Sequence, residues 1–290
     1  MSGFSAAWLD LREPHDRRAR DENLTRRLRQ WCPGEARLQV VDLACGSGAN
    51  LRYLAPRLGG RQAWLLLDHD PELLAAVPAR LARWAAGCGW QCTAAAAGLC
   101  ILGRTLDCQV RTQRCDLTTG LQRLPAADCQ LVTCSALLDL VSAAWLRTLA
   151  AHCRATGAAV LWTLSYDGRL RFSPPRPGDA ELRGLVNRHQ RRDKGFGPAL
   201  GPKAAGVARA ELGQLGYRTW EAVSDWQIGT HQRELQAALL AGCAGAAAEV
   251  APARKPALER WLTRRRAVLK AGRSYLRVGH LDLLGLPHAS

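Results

Sequence analysis

The chain has 290 residues, enough to bury one full core, and 40 Lys and Arg against 25 Asp and Glu give a formal net charge of +15. No apolar run approaches the roughly 20 residues that cross a bilayer, and charges at Asp10, Arg12 and Glu13 replace the core of a signal peptide. We therefore expect a cytoplasmic protein without a membrane segment. Its positive charge indicates an anionic small molecule or a nucleic acid as partner.

The eleven cysteines do not have the pattern of a disulfide framework. Their number is odd, no C-x-x-C occurs, and several lie within apolar stretches, which predicts reduced thiols. A zinc site would have to come from the denser group at Cys88, Cys92, Cys100, Cys108 and Cys115. Because their spacing is irregular and no histidine lies among them, no metal site is predicted.

Residues 5–31 carry apolar side chains at helical spacing, with arginine and aspartate between them. This pattern predicts amphipathic helices ahead of the core, and we assign residues 1–37 to an N-terminal helical cap. Two interpretations of its charges remain open. Arg12, Asp16 and Arg20 could face a ligand, or they could form a solvated face.

A strand followed by a glycine turn is predicted for residues 38–51. The apolar strand ends at Asp42, the turn carries Gly46 and Gly48, and a helix follows. Backbone amides at a helix N-terminus, and glycines without Cβ atoms, let a charged ligand lie directly against backbone. A dinucleotide site would need a third glycine where Leu51 stands, so a different nucleotide-like cofactor is favoured.

This stretch resembles motif I of the class I S-adenosylmethionine-dependent methyltransferases, in particular bacterial enzymes that act on small molecules. Their acid-x-Gly-x-Gly-x-Gly pattern stands here as Asp42-x-Ala44-x-Gly46-x-Gly48, with Ala44 in place of the first glycine. The resemblance implies that these four residues bind S-adenosylmethionine. It also implies an α/β fold with a doubly wound, Rossmann-like sheet of seven strands, the last of them antiparallel.

The second predicted strand ends in Asp68-His69-Asp70-Pro71. In the resembled class, the acid at this place accepts hydrogen bonds from both ribose hydroxyls. The resemblance implies that Asp68 has this role and that His69 belongs to the wall of the cofactor pocket. Asp70 is the alternative, but an acid directly before Pro71 suits the N-cap of the next helix.

Residues 99–102 and 106–112 predict a hairpin that lengthens the third strand. It leads to Cys115-Asp116-Leu117, which resembles the acidic motif after strand three. The resemblance implies that Asp116 accepts a hydrogen bond from the adenine amino group while Leu117 frames the ring. A simple helix N-cap is the alternative for Asp116.

A fourth strand, residues 129–134, leads to Ser135 and Asp139. In the resembled fold, the residues after this strand line the cleft beside the transferable methyl group, so Ser135 is a candidate for cofactor binding and for the active centre. Asp139 could act as a base or orient the substrate, although a polar residue exposed on a turn explains it equally well. Ser142 is predicted to cap the following helix.

The alternation of predicted strands and helices stops after the fifth strand. Residues 166–203 are rich in proline and glycine, which predicts a lid insert. Arg188, Arg191, Arg192 and Lys194 lie close together there. They could clamp a carboxylate or phosphate of the substrate, or form a basic solvated loop. His189 is the candidate general base because imidazole titrates near neutrality.

The remaining residues predict further helices and two late strands, so residues 38–290 are expected to form one methyltransferase domain. We expect the chain to move a methyl group from S-adenosylmethionine to an O, N or C nucleophile of a small, anionic molecule. One alternative is an RNA methyltransferase that uses the basic helix predicted for residues 257–270. The other is a non-catalytic cofactor-binding protein.

Overall fold

The computed structural model describes residues 5–32, 34, 36–124 and 129–288. Residues 1–4, 33 and 35 of the predicted helical cap lie outside the described residues. Within the described residues, the helices are α1 (Ala6–Ala19), α2 (Glu22–Trp31), α3 (Ala49–Leu58), α4 (Pro71–Gly87), α5 (Ala143–Thr156), α6 (Asp179–His189), α7 (Ala204–Gln214), α8 (Arg233–Val250) and α9 (Lys255–Lys270). The strands are β1 (Leu38–Leu43), β2 (Gly60–Asp68), β3 (Gln91–Ala95), β4 (Gly98–Gly103), β5 (Leu106–Arg114), β6 (Leu131–Ser135), β7 (Ala159–Ser173), β8 (Tyr217–Val223), β9 (Trp226–Ile228) and β10 (Tyr275–Pro287).

One sheet contains all of these strands, in the order β3-β4-β5-β2-β1-β6-β7-β10-β8, with β9 paired to β10. The five strands from β5 to β7 are parallel to one another. The last strand, β10, is antiparallel to both of its long neighbours, β7 and β8. The central seven strands thus confirm the doubly wound sheet with an antiparallel last strand.

Three strands extend that sheet beyond the predicted seven. The hairpin of β4 and β5 was expected, but β3 adds a further antiparallel strand at the same edge. At the other end, Ser224 and Asp225 divide a stretch predicted as one strand into β8 and β9. Neither addition has a local signal in the sequence, because both depend on which neighbour each strand pairs with.

The fifth parallel strand is longer than expected. Residues 166–173, predicted as the start of the lid, continue β7 and pair with residues of β10 such as Leu276 and Val278. The segment that follows holds α6, whose buried Leu182 and Val186 pack in one cluster with residues of α8 and α9. Irregular backbone is therefore limited to parts of residues 174–203. The division into a cap and a lid-bearing domain stays a prediction.

Local signals explain where several helices begin. The side chain of Asp70 accepts hydrogen bonds from the amides of Glu72 and Leu73, and Pro71 follows it at the start of α4. Ser142 likewise accepts from the amide of Trp145 and caps α5. These caps fix the helices directly after the sheet edge where the candidate site lies.

Two hydrophobic clusters cover the two faces of the central sheet. Leu28, Leu54 and Val77 come from α2, α3 and α4 and lie in one of them. The other cluster includes Leu146 of α5 and Ala208 of α7. Burying each large apolar side chain contributes about 1.5–3 kcal/mol, so both helical layers are packed firmly against the sheet.

None of the helices in the described ranges combines the length and apolar character needed to span a bilayer. The described residues also contain no group of three or more histidine, cysteine, aspartate or glutamate side chains placed to hold a metal ion. Burial raises the thiol pKa of Cys45, Cys108, Cys134 and Cys153. Such thiols stay protonated and act as small apolar side chains.

Candidate functional site

A cavity of about 200 Å³ lies where the carboxyl ends of the parallel strands meet. Its walls come from the turn after β1, the ends of β2 and β6, the loop after β5, one face of α1 and the side chain of Phe196. The carboxyl edge of a doubly wound sheet is where ligands bind, because the loops and helix N-termini converge there.

The turn after β1 has an unusual backbone conformation. Ala44, Gly46 and Gly48 have φ angles of 51°, 54° and 84°, all in the left-handed region. A residue with a Cβ atom pays roughly 1–2 kcal/mol there, so Ala44 holds the turn at some strain. A Cβ at Gly46 would lie 3.2 Å from Cδ1 of Leu9 in α1. A side chain at position 46 would therefore crowd Leu9, and glycine keeps the backbone of the turn accessible from the cavity.

Asp68, at the end of β2, is fixed to this turn. Its Oδ2 accepts a hydrogen bond from the Gly46 amide at 2.8 Å, and its Oδ1 accepts from the Asp70 amide at 3.0 Å. Nδ1 of His69 lies 3.3 Å from the same Oδ1. Asp68 and His69 line the cavity. Asp70 lines it as well, but its carboxylate is occupied as the cap of α4.

Asp116 also lines the cavity, in the loop after β5. Its Oδ1 accepts hydrogen bonds from the Thr118 amide at 2.9 Å and the Thr118 hydroxyl at 2.7 Å, and these bonds are the main reason why its pKa is lowered. No α-helix begins there, so Asp116 closes a local turn instead of capping a helix. The carbonyl of Leu117 accepts from the indole Nε1 of Trp145 at 2.7 Å, which fixes the loop.

Asp42 forms the floor of the cavity and is fully buried. Its Oδ1 accepts a hydrogen bond from Nδ2 of Asn50 at 2.7 Å, and its Oδ2 has no partner. Burial raises the pKa of Asp42 to about 7, against the opposing effects of Asn50 and Arg20. A carboxylate whose second oxygen is open and desolvated is ready to pair with a cation.

Helix α1 lies over the cavity. Its position shows which way Arg12, Asp16 and Arg20 face, a point that the sequence left open. Arg12, Asp16 and Arg20 all line the cavity. The helix is docked onto α3 through Glu13, whose two carboxylate oxygens lie 2.8 and 2.6 Å from Nε and Nη2 of Arg52. Arg12, Asp16 and Arg20 therefore line the candidate site, whereas the solvated face of α1 carries other charges such as Asp10 and Arg18.

Of the residues proposed for catalysis, only Ser135 reaches the cavity. Asp139 lies in the 3-10 helix Leu138–Leu140, between the cavity-lining residues Leu137 and Leu140. The sequence allowed an exposed turn residue, but Asp139 is buried and its Oδ1 has no partner. Burial raises its pKa to about 6. The short helix packs against β7, which covers a position that looks exposed in the sequence.

The predicted substrate clamp lies outside the cavity lining. Arg188 donates to the carbonyl of Val250 at 2.5 Å, and Arg192 lies 3.1 Å from a carboxylate oxygen of Glu249. Nε2 of His189 lies 3.1 Å from the same oxygen, and Nζ of Lys194 is 3.4 Å from the His189 ring nitrogens. These residues, together with the exposed Arg191, gather at the C-terminal end of α6 against α8.

The basic helix α9 has two different faces. Arg260, Arg264 and Arg266 are exposed. Arg265 is instead buried and forms an ion pair with Asp179. Trp261, also buried, donates to the same carboxylate at 2.9 Å. Arg265, one of the charges that suggested a nucleic-acid surface, therefore holds α9 against α6.

Several cavity residues were missed from the sequence. Asn50, Arg52 and Tyr53 lie in the first turns of α3, directly after the glycine turn, and that position is a signal that could have identified them. Phe196 comes from the loop after α6 and packs edge-on against Trp145, with ring centroids 5.4 Å apart. No local pattern marks Phe196, because its place depends on how that loop returns to the sheet.

Most of the residues predicted to bind the cofactor lie together. Those that line the cavity are Asp42, Ala44, Gly46, Asp68, His69, Asp116, Leu117 and Ser135. Gly48 is the exception, since it stands behind the turn as the N-cap residue of α3. One end of the cavity is therefore polar and built on backbone. The other end, beside Leu137, Leu140 and Phe196, is apolar.

Comparison with solved structures finds similar folds. The YcgJ protein from Bacillus subtilis matches 93% of this chain and 100% of its own, with a TM-score of 0.50 and 13% identity. A SAM-dependent methyltransferase from Geobacter sulfurreducens, in complex with S-adenosyl-L-homocysteine, matches 99% of this chain and 100% of its own, with a TM-score of 0.47 and 15% identity. The cyclopropane synthase MmaA2 from Mycobacterium tuberculosis matches 90% and 83%, with a TM-score of 0.45 and 10% identity.

No family model matches the chain, and no curated protein matches it either. At identities this low, the structural similarity shows the fold alone. The order of the central seven strands and the antiparallel direction of β10 are themselves those of the class I methyltransferase fold.

Proposed function

We propose that this chain is an S-adenosylmethionine-dependent methyltransferase that acts on a small molecule. The observation that carries the proposal is the cavity itself. A left-handed backbone turn and two acids at the ends of neighbouring strands, Asp68 and Asp116, line one continuous pocket at the carboxyl edge of the sheet. An adenosyl group needs such acceptors for its ribose hydroxyls and its adenine amino group.

The polar atoms of the cavity fit the proposed cofactor. Asp42 Oδ2, Ser47 Oγ and the Tyr53 hydroxyl belong to cavity-lining residues, are buried, and have no hydrogen-bond partner within the described residues. Buried polar atoms are rarely left unpaired unless a ligand or water completes them. We assign Asp42 to the cofactor ammonium group, Asp68 to the ribose hydroxyls, and Asp116 with Leu117 to the adenine ring.

When bound, S-adenosylmethionine supplies a methyl group that is already activated, so the residues of this chain mainly position the acceptor and exclude water. Leu137, Leu140 and Phe196 form the apolar end of the cavity, next to Ser135. Helix α1 covers the opening. An O, N or C nucleophile of a small molecule would enter between these walls.

An anionic acceptor is supported by the cations of α1 and not by those of α6. Arg12 and Arg17 line the cavity, and Arg12 is already paired with Asp16 at 2.8 Å. Arg17 is exposed and available for an incoming anion. We therefore propose that Arg17, and not the cations at the end of α6, contacts the anionic group of the substrate.

If the nucleophile must lose a proton, we propose Asp139, directly behind the acceptor end of the cavity, as the base in place of His189. Leu137 and Leu140, which flank it in the sequence, line the acceptor end of the cavity, and its Oδ1 is free to accept a proton. Since burial raises its pKa to about 6, the carboxyl group would be ionised and basic at neutral pH. Its action requires that the acceptor reach past Leu140.

RNA as the acceptor depends on the exposed arginines of α9 and remains the alternative activity. Electrophoretic mobility shifts with total RNA at two salt concentrations separate the two proposals. The small-molecule proposal expects no tight complex, whereas binding that weakens steeply with salt would support the RNA alternative. A cytoplasmic location stays a prediction from the sequence.

Calorimetric titration of the full chain with S-adenosylhomocysteine tests the proposed function. We expect binding by the wild type and a loss of about 100-fold or more in the Asp68→Ala variant, because this carboxylate contacts both the ligand and the Gly46 amide. The Asp70→Ala variant is the matched control. It removes the cap of α4 and should lower stability by about 1 kcal/mol while the ligand still binds.

A wild-type chain that binds no adenosyl ligand, or an Asp68→Ala variant that binds as well as the wild type, would refute the proposed site. A non-catalytic binding protein would bind the ligand but transfer no label from methyl-labelled donor to any metabolite of a cell extract.

A further inference from the structure

Arg20 is a buried cation without a counter-ion in contact. It follows the last turn of α1, and only 6% of its surface is exposed. Its Nη1 donates to Oδ1 of Asn50 at 2.6 Å, and its guanidinium carbon lies 4.0 Å from the centroid of the Tyr53 ring. Nε and Nη2 have no hydrogen-bond partner among the described residues.

The acids around Arg20 do not form a direct ion pair with it. Asp282 is the strongest electrostatic neighbour, but its two carboxylate oxygens accept from the amides of Leu164 and Asp21. Asp42 and Asp16 also act on Arg20, but none of the three forms an ion pair with it within 4.0 Å. Burial outweighs these attractions and lowers the pKa of Arg20. An uncompensated buried charge is costly, so its persistence indicates that an anion completes it.

The position of Arg20 identifies the anion. Asn50 accepts from Arg20 through Oδ1 and donates to Asp42 through Nδ2, so one side chain joins the cation to the acid on the cavity floor. Both Arg20 and Asp42 line the cavity, and both keep polar atoms without a partner. A cation and an acid separated by one amide side chain match the carboxylate and ammonium groups of an α-amino acid.

We propose that Arg20 binds the α-carboxylate of the amino-acid part of the cofactor, an inference that rests on the proposed function. Nε and Nη2 lie on one edge of the guanidinium plane, the arrangement that binds a carboxylate through two parallel hydrogen bonds. Lysine could not replace this geometry. Because Arg20 is attached to α1, the bound carboxylate also ties this covering helix to the floor of the site.

The alternative is a purely structural role, in which Arg20 packs on Tyr53 and holds α1 in place. A structural residue affects every ligand of the cavity alike. A carboxylate-binding residue affects only ligands that carry the carboxylate. Three ligands that share the adenosyl thioether therefore distinguish the two roles: S-adenosylhomocysteine, its decarboxylated analogue with a 3-aminopropyl chain, and 5′-methylthioadenosine.

Calorimetric titration of the full chain gives the affinity for each ligand. We expect the wild type to bind S-adenosylhomocysteine about 100-fold more tightly than the decarboxylated analogue, since the lost carboxylate leaves two charged hydrogen bonds unmade. In the Arg20→Met variant this ratio should fall to about 3-fold or less, with the affinity for 5′-methylthioadenosine nearly unchanged. Arg18→Met, at an exposed arginine of α1 that contacts His15 and does not line the cavity, should keep the wild-type ratio.

Arg20→Lys provides a second variant if the methionine variant does not fold, as judged by circular dichroism. It keeps the charge without the two-pronged edge, and the ratio should fall about 10-fold. A ratio that stays at the wild-type value in both variants overturns the assignment of Arg20. Equal wild-type affinity for the carboxylated and decarboxylated ligands overturns it as well but leaves the adenosyl site standing. Failure of the wild type to bind any of the three ligands refutes the proposed function together with the inference.

Discussion

Two stretches of the chain place several arginines near the C-terminal end of a helix, and they differ in what surrounds them. At the end of α1, Arg20 is buried and lines the cavity with two donors unpaired. At the end of α6, Arg188 and Arg192 are exposed and occupied by Val250 and Glu249. The cluster with more cations is the one that lies away from the cavity.

The difference shows which property of a charge indicates function. Exposed ion pairs contribute about 0–1 kcal/mol and form wherever opposite charges meet on a surface. A buried charge without a partner requires compensation, because several kcal/mol of lost hydration must be recovered. Burial without pairing is therefore a better guide to a ligand site than the number of arginines in a segment.

The largest effect is expected from breaking the contact that docks α1. Glu13, 29% exposed, pairs with the buried Arg52, and Glu249, 61% exposed, pairs with Arg192. Glu13→Ala leaves Arg52 buried with the Ser47 carbonyl as its remaining acceptor. We expect the free energy of unfolding to fall by about 2 kcal/mol and the affinity for S-adenosylhomocysteine to fall about 10-fold or more.

Glu249→Ala is the matched change at the end of α6. It removes a partner of Arg192 and His189 on the surface, and we expect a change of less than about 0.5 kcal/mol in stability and no change in ligand affinity. Denaturant unfolding and calorimetry measure both. Equal effects of the two substitutions would show that the two helix ends do not differ as described.

A second prediction concerns the protonation of Asp42. Its pKa is about 7 in the folded chain and 3.8 as an ordinary carboxyl group, so the folded state holds a proton that the unfolded state releases. Stability from this group therefore decreases as the pH rises from about 4 to about 7, by at most about 1.4 kcal/mol per pH unit. Burial is the main cause of this raised pKa; Asn50 and Arg20 lower it, and the nearby Asp68 raises it further.

Asp42→Asn removes the titration and keeps an oxygen that can accept from Asn50. The free energy of unfolding of this variant, relative to the wild type, should rise between pH 4 and pH 7 and stay constant above pH 8. Because Asp139 and His280 titrate in both proteins, the difference isolates Asp42. A difference that does not depend on pH would mean that Asp42 is ionised throughout this range.

The smallest effect is expected from the cluster that the sequence offered as a substrate clamp. The double variant Arg191→Ala and Arg192→Ala changes two exposed side chains that do not line the cavity. Stability should change by less than about 0.5 kcal/mol, and transfer of label from methyl-labelled donor to a small-molecule acceptor should stay within about twofold. A loss of transfer without a loss of cofactor binding would restore the clamp at the end of α6.

Features that depend on neighbouring residues could be predicted from the sequence. The turn with Gly46, the cap at Asp70 and the strand that ends at Asp68 all have local causes in backbone freedom and hydrogen bonding. The choice of Asp68 over Asp70 also came from such a cause. The alternation of strands and helices fits a doubly wound sheet, and the antiparallel last strand was implied by the family resemblance.

Features that depend on packing between distant segments could not be predicted. Asp139 looks like a polar turn residue, and it is buried because its short helix packs against β7. Arg20 has the same sequence neighbourhood as other arginines of α1, and its burial comes from Tyr53 and Asn50 on α3. For the same reason, the sequence could not separate the charges at the end of α1 from those at the end of α6.

The most direct test of the account is a crystal structure of the full chain with S-adenosylhomocysteine. The ligand should occupy the cavity after β1, with its ribose hydroxyls on the carboxylate of Asp68 and its α-carboxylate on Nε and Nη2 of Arg20. Ligand bound elsewhere, or bound in this cavity with neither Asp68 nor Arg20 in contact, would contradict the central claim.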